Sequence, residues 1–143
     1  KNIKGINTTE YQSLISIPGI GPVFASGILA EIGSITSFSS NDALAKYAGL
    51  TWRIKESGDY SASETNMTKT GNKYLRYYLI EAANSVRNNI PEFNVYYRKK
   101  FNEVPKHQHK RALALTSRKL VRLIFGLLTK NQIYSSSKVG EVQ

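Results

Sequence analysis

Residues 17–33 read Ile17-Pro18-Gly19-Ile20-Gly21-Pro22-Val23-Phe24-Ala25-Ser26-Gly27-Ile28-Leu29-Ala30-Glu31-Ile32-Gly33. The two glycines before Pro22 predict a tight turn that opens directly into a helix. Gly19 and Gly21 permit positive φ and let the main chain come close to another surface. Pro22 suits the first helical position, where a missing N–H costs little. Val23, Ala25, Ile28, Leu29 and Ile32 supply apolar positions along a helix over 22–32, and Gly33 is a natural residue to end it. Upstream, Thr8 or Thr9 can cap a short helix to about residue 16, with Tyr11, Leu14 and Ile15 apolar. Two helices joined this way form a helix-hairpin-helix unit. The N–H groups at the start of the second helix, with the positive end of the helix dipole behind them, make an anion site. Such a site holds a phosphate oxygen and ignores the base, so Gly19, Ile20, Gly21 and Val23 are candidate backbone-binding residues. A plain structural turn accounts for the same residues when nothing else supports binding.

The charge distribution supplies that support. The 143 residues carry a net charge of +10. Residues 1–50 hold three Lys/Arg against three Asp/Glu, whereas residues 51–143 hold seventeen against seven. Arg98, Lys99, Lys100, Lys106, Lys110, Arg111, Arg118, Lys119 and Arg122 crowd one stretch in which Glu103 is the only acid. A basic zone of this kind attracts polyanions, and a solvated helix face is its bland alternative. Lys110, Arg111, Arg118, Lys119 and Arg122 are the candidate nucleic-acid contacts there.

Composition excludes several classes. There is no Cys, hence no disulfide framework and no thiolate metal site. No run approaches the ~20 apolar residues of a membrane span, and no secretory signal pattern opens the chain. The expected partners are therefore DNA, not a membrane. The chain starts at Lys1, as expected of a piece of a longer protein.

Further helices follow from the pattern. Ser40 or Asn41 caps one over 42–48, ended by Gly49. Residues 51–70 hold few aliphatics and no helical period. A short hairpin around Ser57-Gly58-Asp59, with Trp52 and Ile54 as strand residues, is their most regular arrangement. Tyr74, Leu75, Tyr78, Leu79, Ala82, Ala83 and Val86 predict a helix over 72–89, which Pro91 interrupts. Phe93, Tyr96, Tyr97 and Phe101 suggest a short amphipathic helix. Ala112, Leu115, Leu120, Leu123, Ile124, Leu127 and Leu128 mark a last helix over 108–130. The expected fold is mainly α: a helix-hairpin-helix module (1–50), a short β or irregular insert (51–70), a basic bundle of long helices (71–134) and a frayed polar tail (135–143), all within one compact domain.

Other constellations are weaker. His107 and His109 are two residues apart and would point to different sides of a helix, among cations that repel a metal. Glu56, Asp59 and Glu64 form the only acidic cluster. No metal site is expected in this chain. Lys69, Lys73 and Arg76 flank the start of the 72–89 helix, where Gly71 or Asn72 caps it. Ordinary capping and a second anion site fit these residues equally well. Tyr77, Tyr78, Tyr96 and Tyr97 suit base stacking, although at this spacing about half of them belong in a core. Ser57, beside Gly58 and ahead of Lys69, Lys73 and Arg76, is a candidate nucleophile by position, because nearby cations stabilise an attacking alkoxide and a charged phosphate transition state. Turn chemistry explains a lone Ser equally well.

The order of these segments resembles a known family. Ile17-Pro18-Gly19-Ile20-Gly21-Pro22 is followed by Phe38-Ser39-Ser40 and by Leu44-Ala45-Lys46-Tyr47-Ala48-Gly49-Leu50. Then come Ser57-Gly58, Thr70-Gly71-Asn72-Lys73-Tyr74-Leu75-Arg76 leading to Ala82-Ala83, and Arg118-Lys119-Leu120. Over about residues 10–130 the chain resembles the C-terminal transposase domain of the insertion-sequence family typified by IS110, IS116 and IS902. The resemblance implies a DNA recombinase with a separate RuvC-like domain whose DEDD carboxylates hold Mg²⁺. This chain would then contribute a serine, at Ser57, that attacks DNA phosphate and forms a covalent link. Two departures stand out: Glu56 precedes Ser57 where many members have Ser, and Trp52 stands where members often have Pro. A guide RNA, a homo-oligomer and a bacterial, nucleoid-associated cytoplasmic location are further implications, as is a fragment that binds nucleic acid but does not cut alone. A non-catalytic helix-hairpin-helix DNA-binding module is the alternative reading.

Overall fold

The structure, a computed structural model, describes residues 8–53, 66–67 and 71–136. Six helices carry it: α1 (Thr8–Ile15), α2 (Pro22–Ile32), α3 (Asn41–Tyr47), α4 (Lys73–Arg87), α5 (Pro91–Phe101) and α6 (Gln108–Lys130), with a 3₁₀ turn at Ile35–Ser37. Between α3 and α4, β1 (Trp52–Arg53) pairs antiparallel with β2 (Asn66–Met67), Trp52 opposite Met67 and Arg53 opposite Asn66. The mainly α fold is as the apolar periodicity predicts. The turn expected at 57–59, the strand residue Ile54, Ser57, Lys69 and the tail beyond 136 lie outside the described residues.

Local chemistry sets the helix ends. Pro22 starts α2 and Gly33 ends it at φ +76, its N–H bonded to the Leu29 carbonyl. The Ser40 hydroxyl caps α3 through the Ala43 N–H at 3.1 Å. Pro91 does more than interrupt: it occupies the first turn of α5, so that helix begins earlier than Phe93 suggests. At the far end of α6, Asn131 takes a left-handed conformation, φ +55, and closes the last turn.

α6, about 34 Å long at 1.5 Å per residue, is the spine. It packs on α4 and α5 and also touches α1 and α3, while α2 lies on α1 and α4. One continuous core joins all six helices, including Leu14, Ile28, Leu44, Leu75, Phe93 and Leu120. It therefore runs across the 1–50 and 71–134 segments without a break. Each fully buried Leu or Ile contributes about 1.5–3 kcal/mol, against roughly 0–1 kcal/mol for an exposed ion pair. Packing against α6, and not the abundant surface charge, therefore holds the fold.

Glu10 is a buried carboxylate in α1, 7% exposed. Burial pushes its pKa up, and a hydrogen bond from the Ile35 backbone offsets only part of that. A folded-state pKa above the unfolded one means that the folded protein binds the proton more tightly. The corresponding stability is fully present below the unfolded pKa and is lost as pH rises through the folded one. Glu10→Gln keeps an oxygen for the Ile35 N–H and removes the charge. The variant is expected to melt higher than the parent at pH 8 and at nearly the same temperature at pH 4. Thermal unfolding followed by circular dichroism at the two pH values checks this, and an unchanged difference between them would contradict it.

Candidate nucleic-acid interface

The Gly-rich turn has two sides. Gly19, at φ +106, faces inward: an added Cβ would lie 2.9 Å from Val86 N and Cα, so the turn backbone rests directly on the C-terminal end of α4. Ile20 is buried beside it. The close approach that Gly19 permits is thus made within the chain. Gly21 and Val23 are on the other side. A Cβ on Gly21 would meet nothing within 4 Å, and Val23 is 73% exposed. No side chain caps the N-terminus of α2, in contrast to α3 and α4. Its first-turn N–H groups carry the partial positive charge of the helix end, next to an open surface. Of the four hairpin residues singled out in the sequence, Gly21 and Val23 are available to a ligand, while Gly19 and Ile20 hold the turn in place.

From this turn α2 runs antiparallel to α4. Gly19 lies against Val86, Gly27 lies under the ring of Tyr78, and the Glu31 carboxylate accepts a hydrogen bond from Asn72 Nδ2 at 2.9 Å. The far end of the pair is a dense polar junction. Gly71, at φ +103, is pressed against the α3 carbonyls: a Cβ there would lie 2.4 Å from the Tyr47 oxygen. The Asn72 N–H donates to that oxygen at 2.7 Å. Asn72 Oδ1 accepts from the Tyr74 and Leu75 N–H groups, both at 2.9 Å, and Nδ2 also reaches the Tyr47 hydroxyl at 3.3 Å. Arg76 Nη1 donates to the Ala48 carbonyl at 3.2 Å. The two ends of the 51–70 segment therefore leave and re-enter the helical body at one place, and the β1–β2 pairing continues from it.

This junction shows how the α4 start is capped. Its N–H groups are taken by the Asn72 side chain, which is capping. Arg76 is half-buried and engaged with Ala48, whereas Lys73 is exposed, with its Nζ 5.4 Å from the Tyr74 ring centroid.

The α6 cations divide similarly. Arg111 ties α6 to the end of α5 by donating to the Lys100 carbonyl at 3.0 Å and pairing with Glu103 at 3.0 Å. Arg118 pairs with Asp42 at the start of α3, and Lys119 pairs with Glu92 at 3.0 Å. Lys110 and Arg122 are exposed. Arg111, Arg118 and Arg122 still share the outer face of α6, opposite buried Leu113, Leu120 and Ile124. Burial and the neighbouring Arg122 charge both lower the pKa of Arg118, against the opposing pull of Asp42, and its Nη1 is buried without an acceptor. Glu103 is pushed up by desolvation, but hydrogen bonds and charge from Lys100 and Arg111 outweigh this and leave its pKa lowered. Asp42 and Glu92 stand on the surface while Arg118 and Lys119 are largely covered, so a phosphate reaches these two cations by displacing an exposed acid.

Two contacts were not legible as sites. Tyr97 is buried, and its hydroxyl lies 2.6 Å from His109 Nδ1, with the Arg87 guanidinium 3.9 Å from the ring centroid. Tyr77 and Tyr74 are each 60% exposed, while Tyr78 and Tyr96 are half-buried. Among the described residues no group of three or more His, Cys, Asp or Glu is placed to hold a metal ion, and no helix is long and apolar enough to cross a membrane.

Comparison with known proteins gives consistent matches. The profile of the family described as transposase IS116/IS110/IS902 matches residues 11–98, from α1 through most of α5. The chain is 30% identical over 130 residues to an uncharacterized protein of insertion element IS110 from Streptomyces coelicolor, covering 91% of this chain and 31% of that protein. It is 30% identical over 124 residues to an uncharacterized protein of insertion element IS900 from Mycobacterium paratuberculosis, covering 86% and 30%. It is 28% identical over 129 residues to the transposase for insertion sequence element IS1111A from Coxiella burnetii, covering 87% and 34%. The chain thus spans about a third of the length of these curated relatives.

Proposed function

Because this chain belongs to the IS116/IS110/IS902 transposase family, we propose that it grips DNA backbone at the α2 turn and supplies the Ser57 hydroxyl that attacks a DNA phosphate. The observation that supports this most is the layout of the α2–α4 pair. An uncapped helix start opens to solvent at one end, and the segment bearing Ser57 leaves and returns at the other. About 15 Å of α2 separates the two ends. Lys69, Lys73 and Arg76 are the cations assigned to the phosphate, Arg76 by giving up its bond to the Ala48 carbonyl, and Lys110, Arg111, Arg118, Lys119 and Arg122 extend the backbone contact along α6.

The rest of the catalytic apparatus belongs, on this reading, to the remaining two thirds of the transposase, including any Mg²⁺ ligands. A homo-oligomer and a guide RNA are the partners expected of the whole protein, in the bacterial cytoplasm. The isolated 143-residue chain is then a DNA-binding unit that leaves DNA uncut.

Duplex binding measured against salt tests the grip. Each neutralised phosphate contributes a log–log slope near −0.9. Val23→Glu is the discriminating variant. A carboxylate in the first turn favours the helix dipole, so the fold should melt unchanged or slightly higher. The same carboxylate repels a phosphate at that helix start. Affinity for duplex DNA is expected to fall about tenfold, with a slope shallower by roughly one. A salt-independent isotherm, or full affinity in Val23→Glu, would remove the hairpin from the interface.

A further inference from the structure

The outer side of α4 carries aromatic rings that the core does not use. Leu75, Leu79, Ala82, Ala83 and Val86 are all buried on the inner side. Tyr74 and Tyr77, one turn apart, are each 60% exposed. Tyr78 explains their position. Its ring occupies the place of a Cβ on Gly27, at 2.5–2.7 Å from where that atom would be, so Tyr78 seals the α2–α4 seam. Tyr77 and Tyr78 meet in a T-shaped contact, with ring centroids 5.6 Å apart and planes at 67°, and Tyr77 remains 60% exposed. Beyond Tyr74 stands Tyr47, 41% exposed, at the junction where the 51–70 segment returns.

We propose that the Tyr74–Tyr77 face is a stacking platform for unpaired DNA nucleotides beside the attacked phosphate. The inference rests on the reading of this chain as a DNA-binding transposase unit and names what lies between its two ends. Three observations select this occupant. The exposed groups are rings and not aliphatic side chains, which suits bases of any sequence. Lys73 is exposed beside Tyr74, and Lys46 is exposed at the end of α3, so cations flank the rings where a sugar-phosphate chain would pass. The rings also lie along the α2–α4 pair, between the open turn at Gly21 and the junction at Asn72. A DNA strand held at the first and attacked near the second would run past the stretch of α4 that carries them. Glu81 is the exposed carboxylate on this side of α4, one turn past Tyr77 and away from both lysines, which orients the phosphates toward the Lys73 end.

The test compares labelled oligothymidylate with a duplex of equal length, using the 143-residue chain. Tyr74→Ala/Tyr77→Ala is expected to weaken oligothymidylate binding roughly tenfold or more. Duplex affinity and its salt slope should be unchanged, and Tyr74→Phe/Tyr77→Phe should bind as the parent does. The two rings are exposed, so the melting temperature controls for folding. The proposal is overturned if the alanine pair binds oligothymidylate normally, or if the parent does not bind it at all. It is also overturned if oligouridylate is preferred, which assigns the face to RNA, or if the alanine pair changes only the sedimentation of the protein, which assigns it to self-association. In each of these cases a salt-dependent duplex affinity leaves the proposed grip at α2 standing, whereas loss of that dependence in the parent removes the grip itself.

Discussion

Gly71→Ala is expected to lower the melting temperature by about 10 °C or more. The backbone at Gly71 has φ +103, a region that a residue with a Cβ enters only at a cost of about 1–3 kcal/mol. The added Cβ would also sit 2.4 Å from the Tyr47 carbonyl oxygen and 3.0 Å from that of Lys46, both backbone atoms of α3 that no rotamer change can move. Relief requires α3 and α4 to separate. That movement breaks the Asn72 N–H bond to Tyr47 and strains the Arg76 bond to Ala48, each worth about 0.5–3 kcal/mol. Gly126→Ala is the matched control. Gly126 lies inside α6, and a Cβ there meets nothing within 4 Å. Alanine is favoured over glycine in a helix by about 0.5–1 kcal/mol, so this variant should melt slightly higher than the parent. Differential scanning calorimetry of the two variants separates a requirement for glycine from a mere preference. Equal shifts in both would contradict the packing described at the α3–α4 junction.

The contrast between these two glycines shows what the sequence can and cannot convey. Helix ends marked by local chemistry were legible: Pro22 and Gly33 bracket α2, and the apolar period from residue 108 to residue 130 matches α6 at both ends. Each rests on neighbours in the chain. What Gly19 and Gly71 touch does not. The sequence indicates that Gly19 brings the main chain close to something, and only the fold identifies that partner as Val86 of α4. The cations obey the same division. Their concentration after residue 97 was visible, but Arg118 is paired with Asp42 of α3 and Lys119 with Glu92 of α5, partners fixed by tertiary packing. His109 is exposed, yet its Nδ1 meets the hydroxyl of buried Tyr97, a pairing that only the packing reveals. The burial of Glu10 was equally hidden, since an acid in the first turn of a short helix ordinarily reads as a favourable dipole contact. The candidate site was therefore legible as a set of segments in order, whereas the division of each segment into bracing and available residues required the packing.

In a full-length transposase carrying this chain, Ser57→Ala is expected to abolish the covalent protein–DNA product and recombination while leaving DNA affinity unchanged. The chemistry proposed for Ser57 is a transesterification. Its oxygen forms a bond to phosphorus, the bond from phosphorus to one deoxyribose oxygen breaks, the serine proton is released and the departing oxygen takes up a proton. One phosphoester replaces another, so the step needs no external energy source and runs in reverse when a new strand end arrives. Alanine lacks the attacking oxygen, and no other atom of the side chain can form that bond, so the loss should be complete rather than partial. Binding should survive, because the groups assigned to it lie elsewhere: the open turn at Gly21 and Val23, and the outer face of α6. Denaturing electrophoresis of protein with end-labelled DNA detects the adduct, and a filter or anisotropy assay on the same preparation reports affinity. An adduct that persists in Ser57→Ala would move the nucleophile to another residue. Loss of affinity together with the adduct would make Ser57 a binding residue instead. The non-catalytic alternative is excluded only if the adduct forms in the parent, disappears in Ser57→Ala, and both proteins hold DNA equally well.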